Sequence, residues 1–484
     1  MPARLRDLVI VLPGITGSVL QKDGRDVWAL SGTAAWQNIR SLGGAIAGLK
    51  IDHDDPDADD LGDGIRATRV IGDLTIIPGL VKIDGYTGVR RLLSEQFAAI
   101  PGSLDSAAPA NFFEFPYDWR RHNAVSGRRL HAFVSERLPR WREHSGAKDA
   151  KVILIAHSMG GLVARHYLEV LGGWRDCRAL ISFGTPYRGS VNAVDFLANG
   201  YKQLFMDLSE VMRSFPSVYE LLPIYEMLKV GGEYRRVSEV DGLPAIERAR
   251  AETALKFHRR IEAAVSENRK AAASLDDVYR IIPIVGTRQT TKQSAVFADG
   301  RIVCGAAPPA IVPVDLADGD GTVPRVSAVP IELSDAYRDT FVAEKHASLQ
   351  NNDQVLLQLR ESIKTMQSPG THVIRGGEPA PQAELAAIAL SVDDIYGRDE
   401  PVTVRAAVVG GTLEACRGLE ANLAPLTPGA SPERSLRLTG TDAVAADVEF
   451  ADLKPGDYRI TVSPVRVSPA GPFPVTDVFG VLGA

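Results

Sequence analysis

Cysteine is scarce in this chain of 484 residues. The three cysteines, Cys177, Cys304 and Cys416, are odd in number and far apart, and none has the spacing of metal ligands. A disulfide framework of the kind that holds small secreted domains together is therefore not expected, and a reducing, cytoplasmic compartment is favoured. The sequence implies no metal and no organic cofactor.

Long apolar runs and a basic excess are also missing. No run approaches membrane-spanning length, and Leu8–Leu12, which follows two arginines, is too short for a signal peptide and has no small-residue cleavage site. The net charge is −6, and residues 368–484, with nine basic and fifteen acidic residues, account for all of it. Without a basic excess, nucleic acid is not expected as a partner.

The feature that organises the chain is the segment Lys151–Leu162, KVILIAHSMGGL. Its five apolar residues predict a strand buried on both faces, and a tight turn and a helix follow. Small residues, Ala156 and Gly160, lie two positions on either side of Ser158, where strand and helix come close together. This pattern is typical of the nucleophile elbow of α/β hydrolases, although an ordinary strand–helix turn is the alternative.

The order of predicted elements indicates the architecture. Strands and helices alternate up to the buried strand at Ala179–Phe183, which implies a mostly parallel, doubly wound sheet. Residues 187–276 read as a mainly helical cap over a cleft, inserted into a catalytic domain of residues 1–367. A Pro/Gly-rich linker, 368–381, precedes short alternating segments in 382–484, which predict a small antiparallel β-sandwich.

Two other patterns have competing interpretations. The apolar residues from Trp36 to Leu49 recur at near-helical spacing, so they either face the core or form a patch that touches lipid or covers the pocket. The run Asp52–Asp60 lacks the glycine and the final glutamate of a calcium-binding EF-hand loop. We interpret it as a solvated acidic loop.

A serine needs a base to accept its proton and an anion to orient that base. In α/β hydrolases the acid and then the histidine follow the serine along the chain. Asp320, in a glycine-rich loop, and His346, between the last predicted strand and the last core helix, fit that order, with Asp318 as a competitor for the acid. His157, next to the serine, is assigned to packing.

The glycine-rich turn after the first strand has two interpretations. A phosphate-binding loop is disfavoured because the turn has neither the lysine nor the glycine spacing of that motif. In an esterase, a turn at this place gives a backbone N–H to the oxyanion hole. We therefore predict that the N–H groups of Ile15 and Met159 form the oxyanion hole, with Met159 as plain core the alternative.

Several short motifs occur together in one order along roughly residues 5 to 366. They are Leu12–Ser18, Pro116–Arg120, Ala156–Gly161, Gly184–Pro186, Ser214–Ser217, Asp318–Pro324 and His346. In these motifs the chain resembles the lecithin–cholesterol acyltransferase-like family of α/β hydrolases, which includes a lysosomal phospholipase and plant diacylglycerol acyltransferases. The resemblance implies Ser158 as nucleophile, Asp320 and His346 as its partners, and the Ile15 and Met159 amides as oxyanion hole.

The chain departs from the family at Tyr187 and Arg188, where members often have Trp and Gly, and the C-terminal sandwich lies outside the resemblance. The expected activity is that of a lipase, phospholipase or O-acyltransferase on lipid esters, with possible peripheral membrane contact. The alternatives are an esterase or amidase for a soluble substrate, and a non-catalytic scaffold whose sandwich binds a protein partner.

Overall fold

The structure is a computed structural model of the chain. It describes residues 4–28, 47–72, 75–77, 81–200, 202–203, 206–207, 209–272, 279–333, 341–367, 386–410, 418–440, 445–466 and 471–483. The predicted linker at 368–381 and most of the Trp36–Leu49 stripe lie outside these ranges.

Six parallel strands form the central sheet. They are β1 (Leu8–Leu12), β2 (Phe112–Glu114), β3 (Val152–His157), β4 (Cys177–Phe183), β5 (Arg280–Gly286) and β6 (Phe341–Val342), in the spatial order β6-β5-β4-β3-β1-β2. β1 and β3 are buried at every position, as their apolar runs predict. Their register pairs Leu12 with Ala156, so both strands end at the same edge of the sheet.

Helices cover both faces of this sheet. Leu8, Ile10 and Leu12 of β1 belong to one apolar cluster, whereas Val9 and Val11 belong to another. This alternation explains why the strand has no polar face, and it confirms the predicted doubly wound α/β class. The main helices are α1 (Thr87–Gln96), α2 (Asn123–Ser145), α3 (Gly160–Arg165), α4 (Val191–Asn199), α5 (Arg248–Ala271) and α6 (Asp353–Gln367).

The helix after the elbow is not α-helical throughout. α3 ends at Arg165 and continues as one turn of π-helix, His166–Val170, whereas the sequence predicts one helix after the turn. Shorter helical segments occur elsewhere, namely Gly173–Arg175, Ser209–Arg213, Pro216–Tyr219, Val237–Glu239, Val314–Leu316, Ile331–Leu333 and Leu349–Asn351.

The segment predicted as a cap contains α4, α5 and short helices, and also strands that were not predicted. The strand Leu228–Val230 pairs with a hairpin that turns at Asp299-Gly300, which extends that hairpin into a four-stranded sheet. Its strands are Glu233–Arg235, Leu228–Val230, Ser294–Ala298 and Arg301–Gly305. The remaining small sheets contain Ser18–Lys22, Arg25–Trp28 and Ile65–Val70; Thr75–Ile77 and Val81–Ile83; and Lys202–Gln203 and Met206–Asp207.

The C-terminal region forms two sheets around its own apolar cluster, as the predicted sandwich requires. The strands are β7 (Ala387–Ser391), β8 (Ile395–Tyr396), β9 (Val402–Val409), β10 (Leu419–Pro425), β11 (Arg434–Arg437), β12 (Thr439–Gly440), β13 (Ala445–Phe450), β14 (Gly456–Pro464) and β15 (Val475–Val481). The sheet orders are β7-β9-β13-β12 and β8-β15-β14-β10-β11, and one pair, β8 with β15, is parallel rather than antiparallel.

The acidic run Asp52–Asp60 is not wholly a solvated loop. Asp54 is buried and pairs with the Arg121 guanidinium at 2.8 Å. The same guanidinium donates to the backbone carbonyls of Asp55, Ala58 and Asp59 at 2.8 to 3.0 Å. The loop therefore wraps around one arginine, a long-range contact that sequence composition cannot reveal.

Candidate active site

Ser158 lies at the sharp turn between β3 and α3. Its φ of 51° falls in the left-handed region, which costs a non-glycine residue roughly 1–3 kcal/mol and is characteristic of functional sites. The turn depends on Gly160, because a Cβ there would lie 2.4 Å from the carbonyl oxygen of Pro13. The small residue in the elbow motif thus permits the close approach of the turn that follows β1.

His346 follows β6 and its side chain reaches the serine. Its Nε2 lies 3.0 Å from the Ser158 Oγ, and both residues are buried, with only 5% and 9% of their surface exposed. The backbone N–H of His346 donates to the carbonyl oxygen of Asp320 at 2.9 Å. The loops that carry the histidine and the aspartate are therefore joined through their main chains as well as their side chains.

Asp320 is the acid that meets the histidine. Its Oδ2 lies 2.7 Å from the Nδ1 of His346, and its Oδ1 accepts from the N–H groups of Thr322 and Val323 at 2.9 and 2.7 Å. Since a carboxylate can only accept here, Nδ1 carries the proton and the Nε2 lone pair faces the serine. The competitor Asp318 accepts instead from the backbone N–H of Arg288 at 2.8 Å.

The turn after β1 lies against the serine. A Cβ placed on Gly14 would be 3.0 Å from the Cβ of Ser158. Among the residues that the structure describes, neither the N–H of Ile15 nor that of Met159 donates to a protein acceptor. Both predicted oxyanion-hole donors are thus available to a ligand atom beside the serine, the arrangement in which a preorganised N–H stabilises developing charge.

The motif Pro116–Arg120 holds this turn in place. The Tyr117 hydroxyl donates to the carbonyl oxygen of Pro13 at 2.8 Å, and the Trp119 indole donates to the carbonyl oxygen of Ser18 at 3.0 Å. Both aromatic side chains are fully buried. The motif therefore contributes to the site by fixing the backbone from which the Ile15 N–H projects.

Tyr86 and His157 form a polar connection that the sequence analysis missed. The N–H of Gly14 donates to the Tyr86 hydroxyl at 2.9 Å, and that hydroxyl lies 3.1 Å from the His157 Nδ1. The His157 Nε2 lies 3.1 Å from the carbonyl oxygen of His346, so Nε2 carries the proton and Nδ1 accepts from the tyrosine. His157 is buried, but it links the turn after β1 to the loop that carries His346, which goes beyond its predicted packing role.

Burial keeps His157 uncharged. Its pKa is lowered to about 3, first by burial and then by the neighbouring His346. A neutral imidazole is the form that this hydrogen-bonding pattern requires, with one donor and one acceptor nitrogen. In the sequence, only the position of His157 next to Ser158 indicated a link to the site. No pattern in the sequence indicated a role for Tyr86.

A cavity of about 460 Å³ borders His346 and Asp320 on the side that faces the sandwich. Charged residues from the catalytic region, Lys82 and Lys345, and from the sandwich, Asp394 and Asp477, contribute to its walls. The sandwich is therefore in contact with the surroundings of the site, which its position in the sequence did not predict.

Tyr187 and Arg188 are the two departures from the family pattern. The hydrogen bonds that the structure shows for their side chains lead to segments other than the one that carries Ser158. The Tyr187 hydroxyl donates to the Ser182 Oγ at 2.7 Å, and the Arg188 side chain donates to the carbonyl oxygen of Val329 at 3.1 Å. Both residues thus tie the chain after β4 to neighbouring segments.

Two features are absent from the described ranges, a cluster of metal ligands and a membrane-spanning helix. No cluster of three or more His, Cys, Asp or Glu side chains there could hold a metal ion. Likewise, no helix within those ranges is long and apolar enough to cross a membrane.

The parallel sheet, the strained serine at the end of β3 and the Ser158–His346–Asp320 contacts together define an α/β-hydrolase fold. The family model described as lecithin:cholesterol acyltransferase matches residues 106–240, which confirms the resemblance over that segment. The matched segment contains Ser158 and Met159, whereas Ile15, Asp320 and His346 lie outside it.

The chain is also similar to several solved structures. The Tle4–Tli4 complex shares 15% identity over 76% of this chain and 99% of the matched chain, with a TM-score of 0.47. Bacillus licheniformis lipase BlEst2 in its propeptide form shares 11% identity over 99% of this chain and 95% of the matched chain, with a TM-score of 0.36. Phospholipase PlaB from Legionella pneumophila shares 10% identity over 98% of this chain and 90% of the matched chain, with a TM-score of 0.19. A comparison with curated proteins gave no match.

Proposed function

We propose that the protein is a serine-dependent acyl hydrolase or acyltransferase of the lipase or phospholipase type, which acts on lipid esters. The observation that carries the proposal is the unbroken series of contacts from the Ser158 Oγ through the His346 imidazole to the Asp320 carboxylate, at 3.0 and 2.7 Å. The family match over residues 106–240 supports acyl transfer as the reaction class.

In the proposed reaction, the His346 Nε2 takes the proton of the Ser158 hydroxyl while the oxygen attacks the acyl carbonyl. The negative charge that develops on the carbonyl oxygen is stabilised by the N–H groups of Ile15 and Met159. The protonated imidazole, oriented by Asp320, then gives its proton to the departing alcohol, and an acyl-enzyme remains on Ser158. Water or an acceptor alcohol releases the acyl group by the same steps in reverse order.

A second candidate is hydrolysis of a soluble ester or amide. It is favoured by the cavity beside His346, whose walls carry Lys82, Lys345, Asp394 and Asp477. Charged walls suit a polar leaving group or acceptor better than an acyl chain. Membrane contact through the Trp36–Leu49 stripe remains a hypothesis, because most of that stripe lies outside the described residues.

The test is to incubate phospholipid vesicles with the protein and to analyse the lipids by mass spectrometry, with and without an added alcohol. Free fatty acid indicates hydrolysis, and a new acyl ester that needs the alcohol indicates transfer. A Ser158→Ala variant is the matched control and should release neither product. Release of neither by the wild type, together with cleavage of a short soluble ester, would favour the second candidate.

A further inference from the structure

The loops that carry Asp320 and His346 are weakly anchored in the central sheet. Within the described residues, β6 pairs with β5 at two positions before His346, and Asp320 lies in a loop whose strand-like contacts are isolated bridges. Two catalytic groups must nevertheless keep their spacing to within a fraction of an ångström. Some other part of the molecule has to supply that rigidity.

Gln289 connects the aspartate loop to the sandwich. Its side chain is 1% exposed and makes two hydrogen bonds to the main chain of β7. The Nε2 donates to the carbonyl oxygen of Ile388 at 2.9 Å, and the N–H of Leu390 donates to the Oε1 at 3.0 Å. The Gln289 backbone N–H donates to the carbonyl oxygen of Gly319, next to Asp320, at 3.0 Å.

Glu344 makes the corresponding connection for the histidine loop. It lies two residues before His346 and is 1% exposed. Its Oε1 accepts from the N–H of Lys345 at 2.8 Å and from the N–H of Thr476, in β15, at 3.0 Å. Its Oε2 accepts from the Asn352 side chain at 2.9 Å, at the start of α6. One carboxylate therefore joins the histidine loop, a core helix and the sandwich.

Ion pairs hold the two regions together around these contacts. Lys82 lies between Asp394 and Asp477 of the sandwich, at 2.9 and 3.0 Å, and all three side chains are largely buried. Arg459 of β14 pairs with the Asp84 carboxylate at 2.6 Å, and the backbone N–H of Asp84 donates to the carbonyl oxygen of Ala347, next to His346, at 3.0 Å. Buried pairs of this kind fix one relative arrangement more than they add stability, because their desolvation offsets much of the attraction.

We propose that the sandwich is a structural part of the active site and that Gln289 and Glu344 are positioning residues, which transmit its support to Asp320 and His346. The proposal rests on the proposed function for its catalytic consequence only. The sandwich is then neither an appended binding module nor a simple stabiliser of the chain, because it holds two of the three catalytic groups in register.

The experiment compares Gln289→Ala and Glu344→Ala with the wild-type full chain on a short chromogenic ester. We expect kcat to fall by about 10- to 100-fold in each variant, because displacements near 1 Å cost that much, while KM changes by less than about threefold. Glu344→Gln keeps an oxygen that can accept from the Thr476 N–H, so it should recover part of the loss. At a temperature where every variant is folded, a role in general stability alone would change neither kcat nor KM.

The matched control is Arg459→Ala. It removes an ion pair between the same two regions, and the Arg459 side chain hydrogen-bonds to the Asp84 carboxylate rather than to either loop. We expect its kcat to stay within about twofold of the wild type. If it fell as far as that of Gln289→Ala, general weakening of the interface would explain the loss, and the assignment of specific positioning residues would be overturned.

Hydrogen exchange provides a readout that does not depend on activity. In Gln289→Ala, peptides covering 318–324 should exchange faster, and in Glu344→Ala those covering 341–350, while peptides from β1 and β3 stay protected. Unchanged exchange in these loops, or faster exchange with unchanged kcat, would overturn the positioning role. An inactive wild type would refute the proposed function, and the exchange data would then still decide whether the sandwich orders the two loops.

Discussion

The two halves of the candidate site are built differently. Ser158 and the turn that contains Ile15 follow β3 and β1, two adjacent strands that are buried at every position. Asp320 and His346 lie in loops that depend on side chains such as Gln289 and on the sandwich. The nucleophile half therefore derives its geometry from the sheet, whereas the acid–histidine half derives it from tertiary contacts between distant segments.

This difference indicates where the site can tolerate change. Substitutions in the nucleophile half should be harmful mainly through steric conflict. A Cβ on Gly160, for example, would lie 2.4 Å from the Pro13 carbonyl oxygen. A residue in the other half fails by loss of a hydrogen bond that holds a loop. Substitutions in the two halves should thus separate losses of folding from losses of rate.

The largest effect is expected from Ser158→Ala. The change removes the nucleophile, so hydrolysis should fall by at least about 10⁴-fold. The free energy of unfolding should remain within about 1 kcal/mol, since the side chain is small and donates no structural hydrogen bond that the sheet requires. Ester turnover and urea unfolding measure the two quantities, and substantial residual turnover would contradict the assignment.

Asp320→Asn tests the other half with nearly the same shape. The remaining oxygen can still accept from Thr322 and Val323, but an amide N–H would face the His346 Nδ1 and favour the wrong tautomer. We expect kcat to fall by roughly 10³- to 10⁴-fold. Asp318→Asn, in the same loop, should change kcat by less than about threefold. Equal losses in both variants would show that the loop, rather than the carboxylate, is responsible.

Tyr86→Phe examines the polar connection between the halves. Loss of the hydroxyl leaves the buried Gly14 N–H and the His157 Nδ1 without partners, which should lower the free energy of unfolding by about 1–3 kcal/mol. We also expect kcat to fall about tenfold because the oxyanion turn loses a contact. Tyr396→Phe removes a buried hydroxyl within the sandwich and is the matched control. A drop in kcat for this control as well would argue against a specific role for Tyr86.

The smallest effects concern pH, and they have opposite signs in the two halves. His166 begins the π-helical turn after α3, and burial lowers its pKa to about 4. The unfolded chain therefore binds this proton more readily than the folded chain does. The free energy of unfolding thus falls as pH drops below about 6.5. Burial raises the pKa of Glu344 to about 7, so the folded chain binds that proton more readily, and this contribution falls as pH rises from about 4.5 to 7.

Urea unfolding at pH 5 and pH 7 tests these signs. His166→Phe should lose less stability on acidification than the wild type, and Glu344→Gln should lose more, by up to about 1.4 kcal/mol per pH unit in the steepest region. Neither ring nitrogen of His166 has a hydrogen-bond partner among the residues that the structure describes, so the phenyl ring breaks no such contact there. Identical pH dependence in all three proteins would contradict the assignment of these groups.

Much of the fold follows from local patterns. β3 was predicted because five apolar residues in a row suit a strand covered on both faces, and β4 because Ala179–Phe183 is apolar except at Ser182. The strand Leu228–Val230 was missed although one partner, Glu233–Arg235, follows directly after a Gly231-Gly232 turn; its other partner, Ser294–Ala298, is more than sixty residues away. Both strands of this hairpin have three residues, too few to show a reliable alternation of apolar and polar residues.

The site shows the same limit. Ser158 is recognisable from its neighbours, because the elbow needs small residues at fixed positions. Tyr86, Gln289 and Glu344 are not, because each acts through hydrogen bonds to groups that are distant in the sequence, and no spacing rule encodes such contacts. Asp320 and Asp318 could be distinguished only when the structure showed which carboxylate meets the His346 Nδ1.

The measurement that tests the central claim most directly is the mapping of a fluorophosphonate adduct by peptide mass spectrometry. The account predicts one adduct per chain on Ser158, absent in Ser158→Ala and formed at least about 100-fold more slowly in His346→Ala, which lacks the base. No adduct on the wild type, or modification of another serine at an equal rate, would contradict the claim that His346 and Asp320 activate this hydroxyl.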